Sequence, residues 1–353
     1  MQSACAYLVQ ALSSAGVMMA VVYVPLLAQR LGANGSQIGL LVAAYQAMML
    51  LSNMLFGRWA DFTDRKRVVV LGLLLSALAL SAHLLATGLL RLFVVRAVAG
   101  IAMGIYPAAL VAYFFHGNDQ LGRFSGFGAL GWGVGAALTG AMAAGWVFPV
   151  ATVTMLAALA VAATGLKPQH ASLRQPFFDS RVLRRNWALY LSFYLRHTGA
   201  HSIWAIFPVF IKDRGASMLW VGLIYSLNPF GQFVFMNVLE KARAKRLIWA
   251  GLILSMATFV AFALAQDYRQ LIPIQVVLAL SWSCLYLGSL KQLMEKNPEH
   301  STAAGMFQSV FSLAAVSGGL LTGVTGRYGY PVVMLAAAGL TLVGTVVFAI
   351  AGE

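Results

Sequence analysis

The chain has 353 residues, 60% of them hydrophobic and 10% charged, with a net charge of +14 and a mean hydropathy of +0.80. Soluble domains average about 45–50% apolar and about 25% charged residues, so a water-solvated globule is excluded and most of this chain is expected to lie in lipid. The basic residues sit in short loops between apolar runs, which argues for retention of topology at a membrane surface and against a nucleic-acid partner.

A helix needs about 20 apolar residues to cross a bilayer. On that scale the expected fold is an all-α integral membrane protein of twelve spans. The first six are Ala4–Leu27, Gln37–Phe56, Val68–Leu85, Leu92–Phe115, Phe124–Val147 and Pro149–Leu166. The second six are Trp187–Ile211, Leu219–Leu239, Leu247–Ala265, Leu271–Leu290, Ala303–Val324 and Pro331–Ala351. No Lys or Arg precedes the first run, so it reads as a retained span and not as a secretory leader. Cys5 and Cys284 fall inside apolar runs and read as small core residues, with neither a disulfide nor a metal site implied.

The longest polar break, residues 167–186, is the expected linker between an N-terminal half, 1–166, and a C-terminal half, 187–353. It holds Pro168, Pro176 and five basic residues. With the amino terminus inside, cytoplasmic loops hold 16 of the 24 Lys and Arg residues and outer loops hold 6. Both termini are therefore expected on the cytoplasmic side.

The halves read as copies of one unit. An offset of 183 sets Pro25 on Pro208, Gly32 on Gly215 and Gly39-Leu40 on Gly222-Leu223. An offset of 179 sets Gly72 on Gly251, Ser76 on Ser255, Asp61 on Glu240 and Lys66-Arg67 on Lys245-Arg246. Six spans per copy is an even number, so the copies enter from one side and are related by an axis along the membrane normal. That is the arrangement of transporters whose substrate site lies near the midplane between repeats.

Between the second and third spans stands Gly57-x-x-Ala60-Asp61-x-x-x-Arg65-Lys66-Arg67. It resembles the loop signature of the major facilitator superfamily. Arg96-x-x-x-Gly100-x-x-x-Gly104 resembles that superfamily's fourth-span motif, commonest among its drug/proton antiporters. The resemblance covers the whole chain, with departures at Phe62, where the family prefers a basic residue, and at Asp64, where it prefers Gly. Asp can adopt a left-handed turn, so the departure does not exclude one. The fifth span also lacks the Gly-Pro signature of the antiporters. The resemblance implies a conformational latch made of Gly57, Asp61, Arg65, Lys66 and Arg67, with Glu240 as the acid of a weaker copy. A carboxylate there can sit against the positive end of a neighbouring helix, and Arg65 can fork onto carboxylates or free carbonyls.

Ionisable residues within spans are functional candidates by default. The seventh span carries Tyr190, Tyr194, His197, His201, Trp204 and Pro208, spaced 4, 3, 4, 3 and 4, as one helical stripe. Arg196 lies about 100° to the side of His197. No acidic partner stands at helical spacing, so these residues suggest a polar cavity for an anionic or strongly hydrogen-bonding solute. Two histidines without a nearby Cys or carboxylate do not make a metal site. The family places the first, fourth, seventh and tenth spans around the cavity. This adds Arg96, Trp282 and Tyr286, and Asn228 and Gln232 of the eighth span offer further polar contacts.

The expected function is a secondary active transporter that moves a small organic solute by alternating access. The fourth-span motif favours an efflux-type, proton-coupled antiporter of amphipathic compounds. The alternative is transport of an organic anion held by Arg96, Arg196, His197 and His201. A non-transporting receptor or scaffold on the same fold is the reading from another class. There are no paired carboxylates and no Ser/His/Asp set for an enzyme, no phosphate-binding loop for ATP, and no cofactor is expected. The expected partners are the lipid bilayer, a small-molecule substrate and protons or another coupling ion. The protein is expected as a monomer in the prokaryotic inner membrane.

Overall fold

The structure, a computed structural model, describes residues 2–33, 35–115, 120–170 and 180–351. Among these, the chain forms twelve α-helices joined by turns. They are α1 (Gln2–Arg30), α2 (Gly35–Trp59), α3 (Arg65–Ala82), α4 (Leu89–Phe115), α5 (Leu121–Ala141) and α6 (Val147–Gly165), followed by α7 (Ser180–Asp213), α8 (Met218–Val238), α9 (Ala244–Leu264), α10 (Leu271–Lys296), α11 (His300–Thr325) and α12 (Tyr330–Ala351).

Each apolar run is centred on one helix, and three boundaries move by about two turns: the ends of the fifth and tenth runs, with α10 reaching Lys296, and the start of the seventh. The fifth run breaks at Met142, which is extended at φ −94° and ψ 148°. The next helix starts at Val147, which leaves Pro149 in its first turn, where a missing N–H costs no helical bond. The seventh run grows at its start, since α7 begins at Ser180 inside the expected linker. Residues 171–179 of that linker, Pro176 included, lie outside the described residues.

Among the described residues, nine helices are long and apolar enough to cross a membrane by length and composition. Helix α7 is not among them, because Arg196, two histidines and several Tyr and Trp residues dilute its apolar content. Leu90, Val238, Leu320, Ile350 and many other large apolar side chains are exposed. Such a surface suits hydrocarbon and would be a liability in water.

The chain divides into two compact units, one of Met1–Val182 with Leu293–Ser309 and another of Leu183–Gln292 with Val310–Glu353. In unit 1, α1 packs on α5 and α6, α2 on α4, and α3 on α4 and α6. Glycine sets these approaches. A Cβ on Gly100 would lie 2.4 Å from the Tyr45 carbonyl oxygen, and one on Gly131 would lie 2.1 Å from that of Ala11. In unit 2, α9 packs on α12, and Phe207, Phe259, Phe262 and Met334 belong to one apolar core.

One helix contact is made in both units at the same offset of 179. A Cβ on Gly72 would meet the Tyr106 amide nitrogen at 2.9 Å, and one on Gly251 would meet that of Leu285 at 2.5 Å. The turns after α1 and α7 also match, with Gly32 and Gly215 left-handed at φ 85° and 89°.

Candidate functional site

The turn from α2 to α3, in unit 1, is built around a buried acid. Asp61 is 0% and Arg65 3% exposed in their side chains, and Arg65 Nη2 donates to Asp61 Oδ1 at 3.3 Å. The remaining lone pairs of Asp61 take the start of α11. Ser301 N–H donates to Oδ1 at 3.2 Å, and Thr302 donates to Oδ2 through its N–H and its hydroxyl, each at 2.7 Å. This is an anion on a helix N-terminus, where free N–H groups and the macrodipole both favour it.

Arg65 fans out from the same point. Its Nε donates to Ser301 Oγ at 3.2 Å, and its Nη1 donates to the Ala112 carbonyl at 3.4 Å and to Gln169 Oε1 at 3.2 Å. Gly57 permits the packing underneath, since a Cβ there would lie 2.9 Å from Gly305 Cα and from the Ser301 oxygen. Asp64 needs no left-handed turn. It takes φ −72° and caps α3 by accepting from Lys66 N, and it also accepts from Gln169 N at 2.9 Å. Lys66 is half-buried, and Arg67 is exposed, its Nε 3.7 Å from Asp64. In unit 2 the corresponding turn is looser. Glu240 is half-buried, Lys245 and Arg246 are exposed, and Lys291 Nζ donates to the Glu240 and Ala242 carbonyls.

The second cluster lies in unit 2, around the middle of α7. Arg196 is 1% and His197 5% exposed. Arg196 turns toward α9 and α10. Its Nε donates to Ser255 Oγ at 2.8 Å, which pairs with Ser281 Oγ at 2.6 Å. Its guanidinium carbon stands 5.3 Å from the rings of Phe259 and Trp282. Its Nη1 donates to His197 Nδ1 at 3.3 Å.

The His197 ring lies between Phe193 at 5.2 Å and Trp282 at 4.8 Å, with Phe311 at 4.2 Å and His201 edge-on at 4.6 Å. Three buried nitrogens of this cluster bond no described residue: Arg196 Nη2, His197 Nε2 and His201 Nε2. Each is a group that burial leaves in need of a partner.

The other sequence-predicted residues divide between this cluster and its surroundings. Tyr286 lies tilted against Trp282 at 5.2 Å, and Tyr194 shares a hydrogen bond of 2.8 Å with Ser317. Trp204 turns to Phe207 and Tyr225 and lines a narrow apolar crevice with Phe259 and Leu278. Asn228 donates to Gln275 Oε1 at 3.4 Å and accepts from Gln232. Arg96 belongs to unit 1, where Gly100 and Gly104 draw α4 onto α2. Its guanidinium carbon sits 3.8 Å over the Tyr45 ring, and its Nε and Nη1 bond no described residue.

A family model described as Major Facilitator Superfamily matches residues 6–241. The chain belongs to that superfamily. It is a multi-pass integral membrane protein with the superfamily's helical fold, and the superfamily's members are transporters, not enzymes. The human organic anion transporter MFSD10 (TETRAN) shares the fold at a TM-score of 0.87 and 14% identity, with 98% of each chain covered. A bacterial homologue of the iron transporter ferroportin, in its outward-facing state, matches at a TM-score of 0.75 and 16% identity, over 99% of this chain and 98% of its own. No curated protein sequence matches the chain significantly.

Several partners in both clusters escape sequence reading. Ser255, itself paired with Ser281, holds Arg196 from a helix far along the chain, and Phe311 walls His197 from α11. For the superfamily loop, Ser301 and Thr302 stand within the first turn of α11, whose N–H groups have no partner inside the helix. No pattern ties them to Asp61, or Gln169 to Asp64 and Arg65.

Proposed function

We propose that this superfamily member is a secondary transporter of small organic anions that carry an apolar or aromatic body. One observation supports the reading. The buried cluster on α7 offers Arg196 Nη2 and two histidine nitrogens without described partners, among aromatic rings and with no carboxylate of the described residues in contact. A guanidinium that no acid neutralises is a poor structural choice in hydrocarbon, costing about 2.5–3.5 kcal/mol at mid-depth. It suits an anionic group, with Trp282, Phe193 and Phe311 against the substrate's apolar part. The organic anions named for the human neighbour agree with this chemistry.

The reading carries the sequence expectations with it. All twelve helices cross the bilayer, both termini are cytoplasmic, and the halves 1–166 and 187–353, linked by 167–186, alternate access as a monomer. Gly57, Asp61, Arg65, Lys66 and Arg67 act as the cytoplasmic latch, with Glu240 in a weaker copy. Arg96, Asn228, Gln232, Tyr194, Trp204 and Tyr286 supply the remainder of the substrate path, in a prokaryotic inner membrane. A second reading, proton-coupled efflux of amphipathic compounds, is favoured by Arg96, whose motif is the antiporter one and whose Nε and Nη1 bond no described residue.

The test is binding of naphthalene-1-sulfonate to purified protein. Arg196→Ala is expected to weaken it on the order of 10–100-fold, the range of a charge-assisted hydrogen bond. Unchanged affinity in a folded variant would overturn the anion reading. Saturable binding of lipophilic cations with none of sulfonates would establish the second.

A further inference from the structure

We propose that His197 takes up one proton with each anion, so that the Arg196 site is loaded by the two together. This rests on the anion reading above and adds the coupling ion to it.

The geometry constrains the histidine. A guanidinium has donors only, so the bond from Arg196 Nη1 at 3.3 Å requires a bare lone pair on His197 Nδ1. The resting imidazole is therefore neutral with its hydrogen on Nε2, the nitrogen that bonds no described residue. A protonated His197 carries N–H on both nitrogens. It cannot accept from Arg196, and it sets a second positive charge beside the first in a medium of low dielectric.

An anion changes that balance. Seated against Arg196 Nη2 and His197 Nε2, it cancels one charge of the pair and gives both donors an acceptor. Released from His197, Arg196 Nη1 becomes a further donor to the anion. Each ligand thus lowers the cost of the other, and the coupling is reciprocal. The proton comes from water on the loading side and leaves to water on the other. A monovalent anion and its proton then move with no net charge.

The surroundings leave the proton few other places. On α7, His197 faces Arg196 and His201, with Phe193 on one side of its ring. Helix α10 presents Trp282 backed by Tyr286, and α11 presents Phe311. Behind Arg196, α9 presents Ser255 and Phe259. Helix α12 approaches this part of α7 at Ala337, against Gly199. The buried acids among the described residues are Asp61, Asp64 and Glu299, and all three belong to unit 1. His201 touches His197 only ring to ring, and the hydrogen bond to Arg196 singles out His197.

The experiment uses the full chain and naphthalene-1-sulfonate, which stays ionised throughout, so that any pH dependence belongs to the protein. Its Kd is measured between about pH 5 and about pH 8, the range in which a histidine changes charge. In the wild type, binding is expected to tighten as pH falls, by up to about tenfold per pH unit at full coupling. Calorimetry in buffers of different ionisation enthalpy should count close to one proton taken up per anion. His197→Gln keeps an amide oxygen as acceptor for Arg196 but cannot titrate, and its Kd should be flat with pH. His197→Asn serves the same end should the glutamine variant not fold. His201→Gln should retain the slope.

A slope that persists in folded His197→Gln or His197→Asn overturns the proposal, as does a flat wild-type profile with the anion bound. That flat profile leaves the anion reading standing. No sulfonate binding at any pH overturns both.

Discussion

Two buried arginines show how differently one residue type is used within this fold. Arg65, in unit 1, spends its donors on Asp61, Ser301, Gln169 and the Ala112 carbonyl. Its charge is answered by a carboxylate that is itself held by the first turn of α11. Arg196, in unit 2, has a serine hydroxyl, a histidine nitrogen and two aromatic faces, and Nη2 is left over. Among the described residues, nothing anionic answers it. A saturated buried ion pair ties structural elements together, whereas an unanswered cation in the same burial marks a place for a ligand of the opposite sign.

The comparison can be broken most sharply by the same substitution at both positions. Arg65→Met removes one partner of a buried pair and strands the Asp61 charge, a loss of about 3–5 kcal/mol. It should appear as a large fall in Tm of the purified protein. Arg196→Met strands no acid. Its Tm should stay level or rise, because an apolar side chain of similar volume replaces a charge that burial disfavours, and sulfonate binding should weaken on the order of 10–100-fold, as for Arg196→Ala. Equal destabilisation by the two variants would end the distinction.

Smaller effects sharpen the likeness between the units. Gly72→Ala and Gly251→Ala press a methyl group into the same helix contact, against the Tyr106 and Leu285 backbones. Each should lower stability by about 1–3 kcal/mol through overpacking, and the two losses should be similar. A neutral Gly251→Ala beside a damaging Gly72→Ala would show that the shared contact carries unequal weight. The smallest effect is expected at the exposed copy of the basic run. Lys245→Gln with Arg246→Gln should shift stability by no more than about 0.5 kcal/mol, as surface changes do.

Much of the fold was legible because lipid enforces a simple rule. Backbone polar groups must be satisfied within each segment, so long apolar runs become helices, and a run bounded by charges declares its ends. The offsets of 183 and 179 were legible too, since Gly32 with Gly215 and Gly72 with Gly251 are positions where only glycine fits. The helix break at Met142 was less visible, because residues 142–148 are apolar on both sides of it. Asp64 was read as a tolerated turn residue and proves to be the cap of α3. Both roles use the same short side chain, and the choice between them depends on Gln169, about a hundred residues away.

The candidate site was half legible. Helical spacing put Tyr194, His197 and His201 on one stripe, and the cost of charge in lipid singled out Arg196. Spacing could not say where Arg196 points. Its direction depends on Ser255, Phe259 and Trp282, residues of α9 and α10 with no sequence relation to it.

The sequence by itself determined a membrane solvent, a succession of helices, the charged turn at Gly57–Arg67 and the presence of unbalanced cations within apolar runs. These follow from local composition and from the price of polar groups in hydrocarbon. Only the tertiary structure decided which cation is answered. Asp61 and Arg65 lie four residues apart and find the start of α11 some 240 positions on, while Arg196 meets a hydroxyl, a histidine nitrogen and rings, and no acid among the described residues. That choice rests on packing between helices distant in the chain, where side-chain reach and direction count and sequence spacing carries no information.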